Sequence, residues 1–304
     1  MRILVIGATG YIGGSVAARL LSAGHEVVGL ARSTEKAARL RELGVEPVTA
    51  GLAYLATIAD AAKGADAAIN VADADNSFVV HALLDALEGS QKRFIHTSGS
   101  SVVADRACGE ESAAIFNEDT PVEPLPERLL RVAVDRMLLA STQRGVQGVV
   151  IRPALVYGRG HGLNPHSLQI PQLIGLARQH GVARHVGRGL NIWSHVFIDD
   201  LADLYLAALS QAPAGSLFYA ENGEASWKSM ASAVGRMLGL GPRTEDWPVE
   251  EALAAWGASA ITSYGSNSRV RSLKARRMLG WDPKGPALLD EIAMGCYSMD
   301  FGRN

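Results

Sequence analysis

Along the first half of the chain, apolar runs of strand length alternate with stretches of helical period. Arg2 to Ile6 is a short apolar run ending at glycine, and Tyr11 to Ala23 repeats its apolar residues at helical spacing. Glu26 to Leu30 is a second run, followed by a helix from about Ser33 to Leu43. Val45 to Thr49 predicts a third strand and Tyr54 to Lys63 a third helix. Asp66 to Val71 and Ser77 to Leu87 repeat the alternation, and Lys92 to Thr97 predicts a fifth strand. A long helix is expected from about Pro126 to Arg144, then a sixth strand over Val149 to Ile151. Short strands alternating with longer helices are the sequence form of a parallel sheet covered by helices on both faces. Right-handed crossovers leave few topologies, of which the doubly wound Rossmann sheet is the simplest. The expected fold class is therefore α/β.

Beyond about residue 158 the pattern loosens. Gly158-Arg159-Gly160-His161-Gly162 and Asn164-Pro165 mark a loop, Ser167 to His180 a helix, and Gly187 to Asn191 another turn. Trp193 to Ile198 predicts a strand and Asp199 to Leu209 a helix, followed by a short strand at Leu217 to Tyr219 and a helix near Lys228 to Leu238. The expected organisation is a dinucleotide-binding domain over 1–158, with 193–211 returning to it, and a smaller substrate-binding part from 159–192 and 212–304.

Composition narrows the class. The 304 residues are 48% hydrophobic and 20% charged, enough for a sizeable core. A formal net charge of −2 gives no reason to expect nucleic acid or an anionic membrane as partner. No apolar stretch approaches the roughly 18 residues that span a bilayer. Cys108 and Cys296 match no metal or redox spacing, no metal site is expected, and the first residues are already strand-like. A cytoplasmic protein with reduced thiols is the expectation.

The sharpest chemistry lies in Gly7-Ala8-Thr9-Gly10-Tyr11-Ile12-Gly13, between the first strand and the first helix. Glycines serve there where the chain turns tightly, where backbone approaches a pyrophosphate, and where helix meets strand. The helix start offers free N–H groups to phosphate. At the end of the second strand, an NAD site carries an acid that accepts bonds from the ribose hydroxyls. This chain has Leu30-Ala31-Arg32-Ser33 instead, which suits a 2′-phosphate and favours NADP over NAD, with Lys36 as a possible third ligand.

The glycine spacing of three and three resembles the extended short-chain dehydrogenase/reductase family, the NAD-dependent epimerase/dehydratase type, with Ile6 in place of the leading threonine. Gly64 to Ala72, Arg152 to Gly158, Trp193 to Asp200 and Leu279 to Pro283 are similar to later segments of that family, in the same order. The resemblance implies that Thr9, Tyr11, Ile12, Val71, Ala72, Thr97 and Pro153 border the cofactor. It also implies a homodimer formed through the helices near Ser77 to Leu87 and Glu127 to Arg144. The family works with Ser, Tyr and Lys, the last two as Tyr-x-x-x-Lys, a spacing this chain lacks. Counting back from Arg152-Pro153, the tyrosine position falls on Glu127, the lysine position on Arg131 and the serine position near Gly99, between Ser98 and Ser100. The resemblance is thus to an atypical member.

The candidate catalytic residues follow from that reading. Arg131 would hold the nicotinamide ribose but cannot shuttle a proton. Ser98 or Ser100 would orient a carbonyl, and Glu127, Tyr157 or His161 would supply the proton if its environment allowed. Asp73 and Asp75 are further groups at strand ends, and His195 one inside a strand. The function expected is NADPH-dependent reduction of a carbonyl, or its reverse, on a small apolar molecule. Leu155, where sugar-nucleotide epimerases carry asparagine, weighs against that substrate class. A non-catalytic NADP-binding sensor and an epimerase or dehydratase with retained cofactor stay open.

Overall fold

A computed structural model describes residues 1–302. In order, the first half runs β1 (Arg2–Ile6), α1 (Tyr11–Ser22), β2 (Glu26–Ala31), α2 (Thr34–Glu42), β3 (Glu46–Thr49), α3 (Leu55–Lys63), β4 (Ala67–Asn70), α4 (Ser77–Leu87) and β5 (Arg93–Thr97). It continues through α5 (Leu129–Leu139), β6 (Gln147–Pro153) and β7 (Leu155–Tyr157). The second half comprises α6 (Gln169–His180), β8 (Ala183–Val186), β9 (Ile192–Phe197), α7 (Ile198–Gln211), β10 (Ser216–Ala220), β11 (Glu224–Ser226), α8 (Trp227–Met237) and β12 (Thr244–Trp247). It ends with α9 (Val249–Trp256), α10 (Leu273–Leu279), α11 (Leu288–Ala293) and α12 (Cys296–Phe301).

The central sheet has seven parallel strands in the order β10-β6-β5-β4-β1-β2-β3, a Rossmann arrangement. Alternation along β1 explains the two layers. Ile3 and Val5 pack toward Val16 and Leu20 of α1, Leu40 of α2 and Leu204 of α7. Leu4 and Ile6 face Ile58 of α3, Leu83 of α4 and Leu138 of α5. A strand buried on both faces needs apolar residues at every position, which is why β1 reads as an unbroken run.

A second core gathers α6, α8, α9, α11 and α12 around a three-stranded sheet, β11-β9-β7, and the pair β12-β8. Aromatic rings supply much of it: Trp227 lies 4.7 Å from Tyr264, and Trp247 meets Trp256 edge-on at 4.8 Å.

Two expectations change. The long helix over Pro126 to Arg144 is broken: Pro126–Arg128 and Ala140–Arg144 are 3₁₀ turns, and only Leu129–Leu139 is α-helical. Ser216–Ala220, in the stretch given to the smaller part, instead pairs with β6 and completes the central sheet at its edge. No helix among the described residues is long and apolar enough to cross a membrane.

Candidate active site

The turn after β1 is built by its glycines. Gly7 has φ +98°, a region side chains rarely adopt, and an added Cβ would sit 3.0 Å from the backbone nitrogen of Ala72. A Cβ on Gly13 would lie 2.2 Å from the carbonyl oxygen of Gly7. The chain therefore folds back so closely that α1 starts with Gly10 as an N-cap that has no side chain to occupy its free N–H groups. A cleft of about 250 Å³ opens beside this turn, lined by Gly7, Thr9, Gly10, Arg32, Val71 and Ala72 together with Leu30, Ala50 and Leu52. Asn70, at the end of β4, accepts the N–H of Ala72 at 3.2 Å and so fixes the far wall.

Those residues fit a dinucleotide. The glycine cradle would be filled by any Cβ, the helix start is uncapped, and no carboxylate lines the cleft. Arg32 stands exposed at its rim. Ser33 does not line the cleft; its Oγ caps α2, accepting the Lys36 N–H at 3.3 Å. Thr97 is also elsewhere, buried with its Oγ1 2.5 Å from the Tyr205 hydroxyl.

A second cavity, of about 370 Å³, lies at the carboxyl ends of β5 and β6. Tyr11, Ile12 and Pro153 line it, and so do Ser98, Gly99, Ser100, Ser101, Arg128 and Arg131. The smaller core contributes Ser167, Gln169, Trp193 and Ser263. Trp227, Trp247, Trp256 and Trp281 do not reach it. Hydroxyl and guanidinium groups share the lining about equally with apolar surface, which comes from Ile12, Pro153, Ala154, Val156, Leu168 and Trp193.

Ser98 donates to Oδ2 of Asp135 at 2.9 Å, and that oxygen also accepts from Arg152 Nε at 2.9 Å. Asp135 is wholly buried; burial pushes its carboxyl up, against the opposing pull of Arg152. Arg152 in turn donates to the Tyr219 hydroxyl at 3.0 Å, so the floor of the cavity is tied to β10. The Ser98 proton is engaged below the cavity. The Ser268 hydroxyl lies 2.8 Å from Ser100 Oγ and 3.0 Å from the Ser100 carbonyl oxygen, so one Ser268 proton serves both contacts.

Arg131 occupies the space that a side chain at Gly99 would approach: its Nη1 is 3.4 Å from the position of a Cβ there. Nε and Nη2 donate to the two oxygens of Asp75 at 2.9 and 2.6 Å, and Nη1 donates to Ser101 at 3.0 Å. Asp73 holds the Asp75 N–H at 3.0 Å and so shapes the same loop.

Other candidates lie outside the cavity. Glu127, on the 3₁₀ turn, pairs with Arg106, and a bond to its own backbone N–H together with Arg106 keeps its carboxyl low. It is placed to stay ionised in solvent, not to donate a proton. Tyr157 is buried with its hydroxyl donating to the Pro286 carbonyl at 2.5 Å, and burial raises its pKa. Its neighbour Val156 is the one that lines the cavity. His161 bonds Asp199 at 2.6 Å in a separate cleft, and His195 packs edge-on against Tyr157. Arg128 and Ser101 are among the cavity residues that the sequence reading missed, with Ser167, Gln169 and Ser263. Arg128 stands three places before Arg131, a spacing that puts both on one helical side and could have flagged it.

The family model that matches the chain is the NAD dependent epimerase/dehydratase family, over residues 3–218. The chain is similar to Oxidase ucsJ of Acremonium sp, 32% identical over 96% of this chain and 95% of that one. It is 23% identical to the 4-hydroxy-2-methyl-3-oxo-4-farnesyl-3,4-dihydroquinoline-1-oxide ketoreductase of Stigmatella aurantiaca, over 92% of each. Among solved structures, a dTDP-glucose 4,6-dehydratase from Bacillus anthracis in complex with NAD superposes with a TM-score of 0.78 at 17% identity, over 99% of this chain and 96% of that one. The fold and glycine cleft define an NAD(P)-binding Rossmann oxidoreductase class. Within it, this chain belongs to the NAD-dependent epimerase/dehydratase family.

Proposed function

We propose that the protein is an NADPH-dependent reductase of a small carbonyl compound, or catalyses the reverse oxidation, with a catalytic set of its own. The observation that carries this reading is adjacency. The glycine cleft and the hydroxyl-lined cavity lie on the same carboxyl edge of the sheet, where open α/β folds bind ligands, and Tyr11 and Ile12 lead from one to the other. The relatives described as an oxidase and a ketoreductase support redox chemistry.

Gly7, Thr9, Gly10 and Gly13 would seat the pyrophosphate and Arg32 the 2′-phosphate, with the Ser33 hydroxyl proton still available beside it. Val71 and Ala72 would wall the adenosine side. When bound, the cofactor supplies the hydride. Arg131 spends three of a guanidinium's five N–H groups on Asp75 and Ser101, which leaves two for the nicotinamide ribose. Its bond to the Ser101 oxygen polarises that hydroxyl, so Ser101 and Ser100 would donate to the substrate carbonyl and stabilise the oxyanion. Ser98 positions this wall through Asp135. Ser167 and Gln169, from the smaller part, would add a hydroxyl and an amide to the substrate's surroundings. Exposed Phe78, Leu129 and Leu130 support a homodimer through α4 and α5.

The experiment is cofactor titration and turnover on a carbonyl panel with wild type and Arg32→Ala. A 2′-phosphate contact to a guanidinium predicts NADPH weakened roughly tenfold or more and NADH unchanged. Equal loss for both nucleotides would remove Arg32 from the site. Tight binding without turnover would leave a sensor. Cofactor that copurifies and emerges unchanged from each cycle would leave an epimerase or dehydratase.

A further inference from the structure

Arg128 lines the cavity beside Arg131, yet among the described residues its side chain, unlike that of Arg131, has no hydrogen-bond or ion-pair partner. Its Nε is shut off from solvent without a hydrogen-bond partner, and burial lowers its pKa, with Arg131 adding to the effect. Both carboxylates near it are engaged elsewhere. Asp75 is forked onto Arg131, and Glu127 is paired with Arg106. Among the described residues, no carboxylate lines the cavity. The lining therefore carries one guanidinium charge that the protein itself does not answer, facing a space of about 370 Å³. A partly desolvated, unpaired guanidinium is costly to keep unless something anionic satisfies it. Its planar fork matches the two oxygens of a carboxylate.

We propose that Arg128 binds an anionic group on the substrate, so that the molecule reduced is an oxo compound carrying a carboxylate or a like oxyanion rather than a neutral apolar ketone. This rests on the reading of the cavity as the substrate site. In that arrangement Arg128 grips the anion while Ser100 and Ser101 take the carbonyl, Ser101 being the one that Arg131 holds. One charged anchor and a pair of hydroxyls fix the orientation of a small ligand with few contacts.

Calorimetric titration of the NADP⁺-loaded protein with benzoate, phenylphosphonate and benzamide tests it, in wild type, Arg128→Gln and Arg128→Lys, with NADP⁺ affinity measured on each sample. The expected result is an anion, benzoate or phenylphosphonate, bound at least about tenfold more tightly than benzamide, about 1.4 kcal/mol. Which anion binds better identifies the group. Arg128→Gln should erase the preference while NADP⁺ affinity stays, and Arg128→Lys should restore part of it. Equal binding of anions and amide, or no binding of any probe, overturns the proposal. So does an Arg128→Gln variant that loses NADP⁺ affinity instead, since the anion served would then be a cofactor phosphate. Failure of NADP⁺ to bind the wild type would sink the dinucleotide reading by itself; the probes titrated without nucleotide would still decide Arg128.

Discussion

Acid should weaken this protein through one histidine linked by Asn70 to the glycine cleft. His96, in β5, is fully buried, and its Nδ1 accepts from the side-chain amide of Asn70 at 3.2 Å. The amide cannot turn round to greet a protonated ring, because its oxygen holds the Ala72 N–H. Burial above all holds the pKa of His96 down to about 4. The folded value thus lies below the unfolded value of about 6.5. A depressed group of this kind contributes stability that is present above the unfolded pKa and lost as pH falls toward the folded one. Linkage between those two values gives a loss of about 1.4 kcal/mol by pH 5.5 and about 2.5 kcal/mol by pH 4.5, relative to pH 7.5. The assay is chemical denaturation across that range for wild type and His96→Gln, read as the difference in pH slope so that any fixed cost of the substitution drops out. NADPH affinity, by contrast, should hold across most of that range and fall only as pH nears 4, where the folded ring itself takes the proton, since His96 holds Asn70 and Asn70 holds the wall of the cleft. Parallel pH slopes for the two proteins would refute the reasoning.

The other expectations concern the cavity floor, the turn and the discarded candidates. Asp135→Leu leaves Arg152 buried beside only a hydroxyl, and should cost about 3–5 kcal/mol. Asp135→Leu with Arg152→Leu should recover most of that loss in the same denaturation experiment; a double variant as unstable as the single one would show that the pair is not what matters. Gly13→Ala forces a Cβ onto the Gly7 carbonyl, so NADPH titration should show at least about a tenfold loss, and wild-type affinity would contradict the packing described. Glu127→Gln and Tyr157→Phe should keep kcat within about threefold, under 1 kcal/mol, because neither lines the cavity; a large drop in kcat at either would bring that residue back into the chemistry.

The first half of the fold was legible because its signals are local and strong. Strands buried on both faces are continuous apolar runs, helices between them carry a clean period, and β1 and α4 begin and end where the pattern does. Four strands of three or four residues, β7, β8, β11 and β12, passed unseen because so short a run has no measurable period. The tight turn after β1 was legible in its glycines, whereas Ser33 and Thr97 were spent on a cap and a buried tyrosine, partners a sequence does not display. Glu127 failed for a geometric reason. It shares a face with Arg131 only on an unbroken α-helix, and the 3₁₀ turn over Pro126–Arg128 ends that equivalence and turns Arg128 to the cavity. Asp135 carried a signal that was overlooked: a carboxylate one turn after Arg131, on the buried side between Val134 and Leu138.

The place of β10 bears on how the molecule is made. β6 ends at Pro153 and its outer neighbour begins only at Ser216, some sixty residues later. During synthesis at roughly 5–20 residues per second, the outer edge of β6 therefore stays open for about 3–12 s after β6 itself has left the ribosome. Its unpaired N–H and C=O groups are then a template for any passing strand. Until Leu217 and Phe218 arrive, a nascent chain able to form its glycine turn is still one strand short of the full seven-stranded sheet, and in that interval it is most exposed to misassociation with its neighbours on the same message.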